Sequence, residues 1–375
     1  MRVLALVTDA FGGHGGIAQY NRDFLASLAG CDPIHEVVVL PRSCGNSADP
    51  LPSGVSQLPA QRGRIAYSLS ALRAGLSGRF DLIFCGQAFI APLALAIAKL
   101  LRTPFWVQVY GSEAWQELSV VHRRSLEAAT LISSVSRYTR RRLLEWVSID
   151  PTRVKVLPGT IDPRFGPAPK AARLLDRYRA WDKKVLMTMS RLASSERYKG
   201  HDRVIRALPD VLVEHPETIY IVIGDGDDRS RLEGLATEVG VRERVHFAGF
   251  VALGELPEHY RLADLFMMPS TGEGFGIAFL EAMASGVPVI GGKGDGSVDP
   301  LEDGTLGTLI DPENENELKA AICAALKSPA SMQRAVARFD RDQFTTAVQG
   351  LLQLASESFC SRVDSRGALQ PVATR

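Results

Sequence analysis

Short apolar runs alternate with longer segments whose apolar residues recur at helical spacing, and this alternation occurs twice along the chain. The runs of the first series have the length and continuous apolar character of buried strands, and they lie at residues 3–8, 36–40, 82–85, 105–109 and 131–134. Those of the second series lie at residues 185–190, 219–224, 245–247, 265–268 and 287–290. Strands that alternate with helices predict parallel sheets with crossover helices.

A stretch rich in proline and glycine, residues 154–167, separates the two series and has the composition of an interdomain linker. The chain of 375 residues also exceeds what one hydrophobic core usually supports. We therefore predict two α/β domains, residues 1–165 and 166–341, that face one another across a cleft and bind ligands at the carboxyl ends of their strands. Residues 361–375 lack apolar periodicity and are expected to form a disordered tail.

Two carboxylates eight positions apart, Glu273 and Glu281, precede the last strand of the second series. Apolar residues at helical spacing predict a short helix at residues 277–285. Gly286 suits the position after its last turn, and Pro288 prevents its continuation. A loop and a helix whose carboxylates are merely solvated would have the same pattern, so two interpretations stay open at this point.

The loop before this helix is suited to an anionic ligand. Its glycines leave space beside the backbone, and the unpaired N–H groups of the helix start point at whatever lies there. The residues concerned are Gly274, Phe275, Gly276 and Ile277. A sugar diphosphate fits such a site.

The stretch EGFGIAFLEAMASGVPVI, residues 273–290, resembles the paired-glutamate signature of the retaining glycosyltransferases of family 4. These enzymes have the GT-B fold, in which two Rossmann-like parallel-sheet domains face one another across a cleft. The resemblance implies that Glu273 lies by the donor sugar, that Glu281 contacts the ribose hydroxyls, and that residues 274–277 contact the diphosphate. It also implies that a C-terminal helix, about 342–360, crosses back onto the first domain.

Residues 190–202 resemble the Arg…Lys-Gly element with which the family grips the diphosphate, in a variant with longer spacing. Cleavage of the sugar–phosphate bond leaves negative charge on the β-phosphate, which requires cations. Arg191 offers a planar fork of donors and Lys199 a point charge. We expect these two residues and Glu273 to be catalytic.

Two further strand ends of the second domain resemble nucleotide-contacting positions of the family. Gly224, Asp225 and Gly226 follow one strand, and Val251 follows the next and would contact the base through its backbone. Backbone recognition hides the identity of the base from the sequence. The glycine-rich residues 291–299 are expected to form a flexible loop over the cleft.

The first strand ends in a glycine-rich loop, residues 12–16, that allows two interpretations. A G-x-G-x-x-A pattern there formally matches a dinucleotide fingerprint, but the required acid is missing at the end of the second strand, because Glu36 begins this strand and Pro41 and Arg42 end it. The loop resembles instead the first glycine-rich loop of the family, where Gly15 and Gly16 would approach the donor diphosphate. His14 would then touch the acceptor, or it is an uncommitted surface histidine.

Residues 107–115 resemble the His-Gly-x-Glu segment of the family, with Tyr110 in place of the histidine and Glu113 as its glutamate. A tyrosine donates a hydrogen bond but carries no positive charge at neutral pH. We therefore expect Tyr110 only to contact the cleft. Ser136 either lines the acceptor site, as in relatives, or caps a helix.

The net charge of +1 gives no reason to expect nucleic acid, but the charge is unevenly distributed. Residues 1–165 hold 18 Lys or Arg against 12 Asp or Glu, a net charge of +6. A helix at residues 137–146 would show arginines beside leucines and Trp146, which fits contact with anionic lipid headgroups. A solvated helix face is the alternative.

Five cysteines without metal-ligand spacing argue against a disulfide framework and favour a reducing cytoplasm. The N-terminus has no signal-peptide pattern, and residues 82–101 fit a buried strand and a core helix better than a membrane span. We expect a cytoplasmic protein, at the inner face of the membrane if it contacts lipid. We assign no Asp-x-Asp metal motif, so we expect no metal and no cofactor besides the donor.

These observations predict a metal-independent retaining hexosyltransferase. It would move a sugar from a UDP- or GDP-sugar to a hydroxyl of a saccharide or lipid-linked acceptor, in bacterial polysaccharide or glycolipid synthesis. The acceptor would attack on the face of the leaving group, because no nucleophile is evident. A sugar-nucleotide epimerase of the same fold and a non-catalytic binding subunit remain the alternatives.

Overall fold

The chain divides into two compact units in the computed structural model, which describes residues 1–43, 50–327 and 336–367. The first unit comprises Met1–Gly159 and the segment that begins at Arg341, and the second comprises Thr160–Asp340. The boundary predicted from the sequence was residue 165, six residues after the end of the first segment of this unit at Gly159. The two units are described separately below.

The first unit is built on a seven-stranded parallel sheet in the order β3-β2-β1-β4-β5-β6-β7. Its strands are β1 (Arg2–Val7), β2 (Glu36–Pro41), β3 (Val55–Gln57), β4 (Leu82–Cys85), β5 (Phe105–Val109), β6 (Leu131–Ser134) and β7 (Val154–Val156). The crossover helices are α1 (Gly16–Ala29), α2 (Arg64–Ser77), α3 (Ala91–Leu101), α4 (Val120–Glu127) and α5 (Arg137–Leu144).

The second unit contains a six-stranded parallel sheet in the order β10-β9-β8-β11-β12-β13. Its strands are β8 (Lys184–Met189), β9 (Thr218–Ile223), β10 (Val245–Gly249), β11 (Leu265–Met268), β12 (Val289–Gly292) and β13 (Thr308–Ile310). Its helices are α6 (Ala172–Tyr178), α7 (His201–Glu214), α8 (Arg229–Glu238), α9 (Leu256–Leu262), α10 (Ile277–Ala284) and α11 (Glu315–Lys327). Two Rossmann-like parallel-sheet units of this kind confirm the predicted fold class.

The C-terminal helix α12 (Arg341–Gly367) returns to the first unit and packs against α1. Arg341 pairs with Asp23 at 2.9 Å, and Thr345 Oγ1 lies 3.0 Å from Ser27 Oγ. The helix extends beyond the predicted end near residue 360, because adding a residue to an established helix gains one hydrogen bond for each residue fixed. The remainder of the predicted disordered tail, residues 368–375, lies outside the described residues.

Two differences from the predicted elements have local causes. Residues 154–156, which were assigned to the linker, form the edge strand β7, because the proline- and glycine-rich composition begins only after them. Strand β12 begins at Val289 and not at Val287, since the Val287 amide closes the end of α10 with the Ala282 carbonyl at 3.0 Å.

Inner strands of both sheets are buried on both faces, which explains their continuous apolar sequences. In the first unit Phe24 of α1 stacks on Phe84 of β4 with ring centroids 4.3 Å apart, and Trp106 of β5 meets Phe24 edge-on at 5.2 Å. Residues 82–101 form β4, a short 3₁₀ turn and α3, as predicted. Among the described residues, no helix combines the length and apolar character needed to cross a bilayer.

Candidate active site

The loop between β11 and α10 brings two of the predicted catalytic residues together. Lys199 Nζ lies 2.8 Å from Glu273 Oε2, and both side chains are largely buried. Burial lowers the pKa of the Lys199 ammonium, but Glu273, Tyr198 and Glu196 together raise it by more, so the pKa of Lys199 is raised overall. A protonated lysine is therefore fixed beside the start of α10.

Two close backbone approaches set the position of this lysine. Gly200, which follows it, has a φ of 82°, and a Cβ there would lie 2.3 Å from the carbonyl oxygen of Pro269 at the end of β11. The Thr271 amide donates to the Tyr198 carbonyl at 2.9 Å. The loop that carries Lys199 is thus held against the loop that carries Glu273.

Arg191 follows β8 and exposes 75% of its side chain. It forms an ion pair with Glu196, a more buried residue of the same loop. The structure therefore places the planar donor fork at the protein surface, close to the Lys199 loop but not in contact with Glu273. Its assignment to the diphosphate clamp stays a prediction.

Tyr198 lies at the centre of these charges, and sequence reasoning missed it. Its ring packs on Gly272, where a Cβ would come within 3.0 Å of the ring, and Lys199 Nζ lies 5.6 Å from the ring centroid. Burial raises the pKa of the phenol, against the lowering effect of Lys199 and Arg191. The hydroxyl therefore stays neutral at physiological pH. The only available signal was its place next to Lys199.

Glu281 lies on the inner face of α10 and is almost fully buried. Its Oε2 accepts a hydrogen bond from the Tyr260 hydroxyl at 2.8 Å, and burial together with this carboxylate raises the pKa of Tyr260 well above its usual value. The phenol therefore keeps its proton and donates a hydrogen bond to Glu281. The structure shows how Glu281 is held, while its contact with a ribose stays a prediction.

The glycines after β9 have a structural role that the sequence did not reveal. Gly224 has a φ of 125°, and a Cβ there would lie 1.8 Å from the Ser190 carbonyl oxygen. The Leu192 amide donates to the Asp225 carbonyl at 3.0 Å, and Gly226 lies against the Leu192 carbonyl. These contacts position the strand end that carries Arg191. Nucleotide contacts of Gly224, Asp225, Gly226 and the partly buried Val251 stay predictions.

Residues 225–227 do read Asp-x-Asp, a spacing that the sequence interpretation did not assign to a metal. The Asp227 carboxylate accepts hydrogen bonds from the Ser194 amide at 2.8 Å and the Ser194 hydroxyl at 2.6 Å, which lower its pKa. Asp225 Oδ1 accepts from the Gly226 amide at 2.9 Å. Both carboxylates thus have protein donors.

The start of α10 has the geometry expected of an anion site. Gly276 precedes the helix with a φ of 89°, and no side chain among the described residues caps the first turn. Phe275 is buried and packs edge-on to Phe339 at 6.1 Å. The first main-chain N–H groups of the helix, from Ile277 on, are the donors that this turn offers. The Gly274 amide already donates to Glu273 Oε1 at 3.1 Å, so the contact of residues 274–277 with a diphosphate stays a prediction.

In the first unit the glycine-rich loop precedes α1, with Gly15 at a φ of 93°. A Cβ at Gly15 or Gly16 would meet no atom within 4 Å, so one side of this turn is open. Arg22 braces the loop, because its guanidinium donates to the Gly13 carbonyl at 2.8 Å. His14 is exposed beside the turn, and neither of its two interpretations is decided.

Tyr110 is buried and its hydroxyl is directed into the first unit. It donates to Asn21 Oδ1 at 2.5 Å, and Asn21 Nδ2 donates to the Asp9 carbonyl at 2.7 Å. Burial raises the pKa of Tyr110 well above its usual value. Asn21 thus offers the phenol a buried acceptor, and the expected contact of Tyr110 with the cleft stays a prediction.

Glu113 and Ser136 also have local partners. Glu113 Oε1 accepts from the Tyr110 amide at 2.5 Å, and burial raises the pKa of its carboxyl. Ser136 Oγ accepts from the Thr139 amide at 3.0 Å and caps α5, which is the structural alternative predicted for it. Contact of either residue with an acceptor stays a prediction.

Asp295 is the principal residue that the sequence interpretation missed. It is fully buried, and its carboxylate accepts hydrogen bonds from Ser270 Oγ at 2.5 Å, the Glu273 amide at 2.7 Å and the Ser297 amide at 2.9 Å. Burial raises the pKa of its carboxyl despite these donors. The residues expected to form a flexible loop therefore include a buried brace for Glu273. An Asp-Gly-Ser turn after a strand was the available signal.

Comparison with known proteins gives two family matches, one in each half of the chain. Residues 179–341 match the model described as glycosyl transferases group 1, and residues 15–160 match the glycosyl transferase 4-like domain.

Similar proteins include the GDP-mannose-dependent alpha-(1-6)-phosphatidylinositol monomannoside mannosyltransferases of two mycobacteria. The Mycolicibacterium smegmatis protein is 34% identical over 68% of this chain and 70% of its own length. The Mycobacterium tuberculosis (strain H37Rv) protein is 30% identical over 87% of this chain and 89% of its own. The crystal structure of Anabaena HepE in complex with UDP is similar with a TM-score of 0.76 and 21% identity, over 94% of this chain and 100% of that one.

Replacement of Asp295 by asparagine should destabilise the second unit. The amide has one acceptor oxygen in place of two, so its NH₂ group must face one of the buried donors, at a cost of about 1–3 kcal/mol. Urea unfolding should show this loss, and hydrogen exchange should be faster at the Glu273 amide. Asp182→Asn, at an exposed position, is the matched control. Unchanged stability and unchanged Glu273 exchange in Asp295→Asn would contradict the assignment.

Proposed function

The chain belongs to the family 4 glycosyltransferases of the GT-B fold, and from this premise we propose that it is a retaining, metal-independent mannosyltransferase acting on a lipid-linked acceptor. That it is a nucleotide-sugar glycosyltransferase follows from the family. The observation that carries the proposed chemistry is the buried Lys199–Glu273 pair beside the start of α10.

The negative charge that develops on the leaving diphosphate explains why the site needs cations. When the bond between the sugar and the β-phosphate oxygen breaks, its electron pair stays on that oxygen, and the diphosphate gains negative charge. Lys199 supplies a protonated amine, and the first N–H groups of α10 supply oriented dipoles. Arg191 is exposed and forms an ion pair with Glu196 at the surface, so its side chain can reorient towards a phosphate.

Retention of the anomeric configuration is proposed because the family 4 enzymes that the chain resembles are retaining, and no covalent intermediate is invoked because the nearby carboxylates already have partners. Glu273 pairs with Lys199, Glu196 pairs with Arg191, and Asp295 accepts from buried donors. None of these three is placed as a free nucleophile. In the proposed reaction the acceptor oxygen bonds to the anomeric carbon on the face that the diphosphate leaves, and its proton passes to the departing phosphate oxygen.

Metal independence is proposed because the protein itself supplies positive charge. Lys199 and Arg191 take the place that a divalent cation has in other phosphate-transfer sites. The Asp-x-Asp sequence at 225–227 does not argue for a metal, since Asp227 is held by Ser194.

The proposed donor and acceptor come from the relatives. The two mycobacterial proteins are described as using GDP-mannose and acting on a phosphatidylinositol monomannoside. We propose the same donor and an acceptor of the same glycolipid class, which would be met at the cytoplasmic face of a membrane. Because both relatives are described as mannosyltransferases, we propose sugar transfer and not epimerisation.

Donor choice can be tested by thermal shift. A nucleotide that binds the native protein raises its unfolding temperature by mass action, by roughly 2.7 kcal/mol of stability at 100 times the dissociation constant. GDP and GDP-mannose should therefore raise the unfolding temperature more than UDP, UDP-glucose or ADP-glucose at equal concentration. A larger rise in unfolding temperature with the UDP compounds would show that GDP-mannose is not the donor. It would not contradict the proposed transfer mechanism.

Lys199→Ala should reduce kcat/KM for mannosyl transfer by about 10²- to 10³-fold, the loss expected for one electrostatic stabiliser of a transition state. The matched control is Lys327→Ala, which removes the surface pair of Lys327 with Glu214 at 2.9 Å. This control should leave turnover unchanged. Full activity of Lys199→Ala would contradict the proposed role of the buried pair.

Transfer should persist in EDTA, because the leaving diphosphate is stabilised by protein cations. The measurement is the rate of product formation with and without the chelator, after exhaustive dialysis. Abolition of transfer by EDTA, with recovery only on addition of a divalent cation, would show that the metal-independent mechanism is wrong. Asp225 and Asp227 would then be the first candidates for ligands of that cation.

A further inference from the structure

Three metal-binding side chains meet where the end of α7 packs against α11. Glu214 and His215 lie at the C-terminus of α7, and Cys323 lies in the middle of α11. One ligand atom from each residue, a carboxylate oxygen, an imidazole nitrogen and a sulfur, lies within 4.8 Å of the other two. We call these three residues the helix-end cluster. Sequence spacing did not reveal it, because the cysteine comes from a different helix, far along the chain.

The imidazole of His215 distinguishes this cluster from an ordinary surface group. Its Nε2 is shielded from solvent, and within the described residues it has no hydrogen-bond partner. Such an atom calls for an explanation, because leaving a buried polar group unsatisfied costs free energy. The backbone of the residue is fixed, since its amide donates to the Val211 carbonyl at 2.8 Å and its carbonyl accepts from the Thr218 hydroxyl at 2.7 Å. A bound cation gives this nitrogen a partner without any change in the backbone.

Cys323 approaches the cluster from the buried side of α11. Its thiol lies within hydrogen-bonding reach of the Glu214 carboxylate. Lys327, one turn later on the same helix, donates to Glu214 Oε2 at 2.9 Å, and Lys319, one turn earlier, pairs with Asp210 at 3.5 Å. These two ion pairs hold α7 and α11 in register on either side of the cysteine. The cluster is therefore built on two packed helices and not on a loop.

The ligand types of the helix-end cluster select a class of metal. Ca²⁺ and Mg²⁺ take oxygen ligands, whereas a thiolate together with an imidazole suits Zn²⁺. We propose that the helix-end cluster binds Zn²⁺ through Glu214, His215 and Cys323, with a water molecule as the fourth ligand. On binding, the sulfur gives an electron pair to the metal and the thiol proton leaves to solvent.

Small movements of the side chains complete the site. In a tetrahedral zinc site with bonds of about 2.0–2.3 Å, neighbouring ligand atoms are about 3.3–3.6 Å apart. The atoms of the helix-end cluster, within 4.8 Å of one another, therefore have to approach by about 1 Å. Glu214 exposes 41% of its side chain, so its carboxylate can make this movement by rotation.

The helix-end cluster is remote from the candidate active site. Helix α7 begins directly after the Lys199 loop and spans 14 residues, so its far end lies about 20 Å away. It ends before β9, at the edge of the sheet opposite to the one that carries Glu273. Zinc there braces α7 against α11 and does not contact the leaving diphosphate. The inference is therefore independent of the proposed function and consistent with transfer that persists in EDTA.

The test is a titration of the full chain, stripped of metal with EDTA and then dialysed, with Co²⁺ as a spectroscopic probe. One equivalent of Co²⁺ should bind and give the near-ultraviolet absorption of a thiolate–cobalt bond. Zn²⁺ should displace it, because a site of sulfur and nitrogen ligands suits zinc. Zn²⁺ should also raise the unfolding temperature, since a ligand of the native state stabilises it by mass action.

Three variants probe the individual ligands and their competitor. Cys323→Ser should abolish the near-ultraviolet absorption. His215→Gln should weaken Co²⁺ binding by at least about 10- to 100-fold, the loss that follows even from removal of an outer-shell partner. Lys327→Ala should tighten binding by about two- to fivefold, because it removes a cation that competes for Glu214. A lysine that only stabilises the surface of the helix pair would not have this effect.

Cys31→Ser is the matched control. Cys31 is also a buried free cysteine, and its thiol donates to the Ser27 carbonyl at 3.2 Å in the first unit. This variant should keep the absorption and the affinity of the parent. His215 is only partly buried, so His215→Gln keeps the inference testable if Cys323→Ser does not fold.

Three results would overturn the inference: no binding of Co²⁺ by the parent at one equivalent, unchanged absorption in a folded Cys323→Ser protein, or unchanged affinity in His215→Gln. Metal binding is measured without donor or acceptor, so it can fail separately from transfer. Zinc binding by a protein that transfers no sugar would support this inference and refute the proposed function. Transfer by a protein that binds neither Co²⁺ nor Zn²⁺ would do the reverse.

Discussion

The carboxyl edge of the second sheet depends on backbone packing directly against backbone. Gly200 lies against the Pro269 carbonyl, and Gly224 lies against the Ser190 carbonyl, at distances that no side chain allows. These contacts hold the ends of β8, β9 and β11 together. Because Arg191, Lys199 and Glu273 leave from these loops, the separation of their backbones is fixed by the sheet.

This packing explains how opposite charges can be held so close in the site. A buried lysine would lose its proton unless a carboxylate accompanied it, and Glu273 is that carboxylate. The amide of the same glutamate is held from behind by Asp295, itself surrounded by donors. The charge of Lys199 therefore depends on a chain of three residues, Lys199, Glu273 and Asp295, of which the sequence motifs included only the first two.

Sequence reasoning succeeded where one local rule determines the structure. The strands and the helix from Ile277 follow from apolar runs and helix-stop residues. The sequence does not reveal side-chain directions that depend on distant elements. Tyr110 turns inward because Asn21, far away in sequence, offers it an acceptor.

The buried tyrosine gives the first unit a rigid support behind its glycine-rich turn. The Tyr110 hydroxyl fixes Asn21 of α1, Asn21 fixes the Asp9 carbonyl after β1, and Arg22 fixes the Gly13 carbonyl in the turn itself. A histidine in place of Tyr110 could bear a charge, whereas the phenol, with its pKa raised by burial, cannot. Tyr110 therefore has a structural role in this protein, through its hydrogen bond to Asn21. Gly15 and Gly16 stay open on the other side of this support, so the turn is braced where it meets the sheet and accessible where a ligand would approach. A turn that is already ordered loses little conformational entropy when a ligand binds. Backbone packing has the same effect on the loops of the second unit.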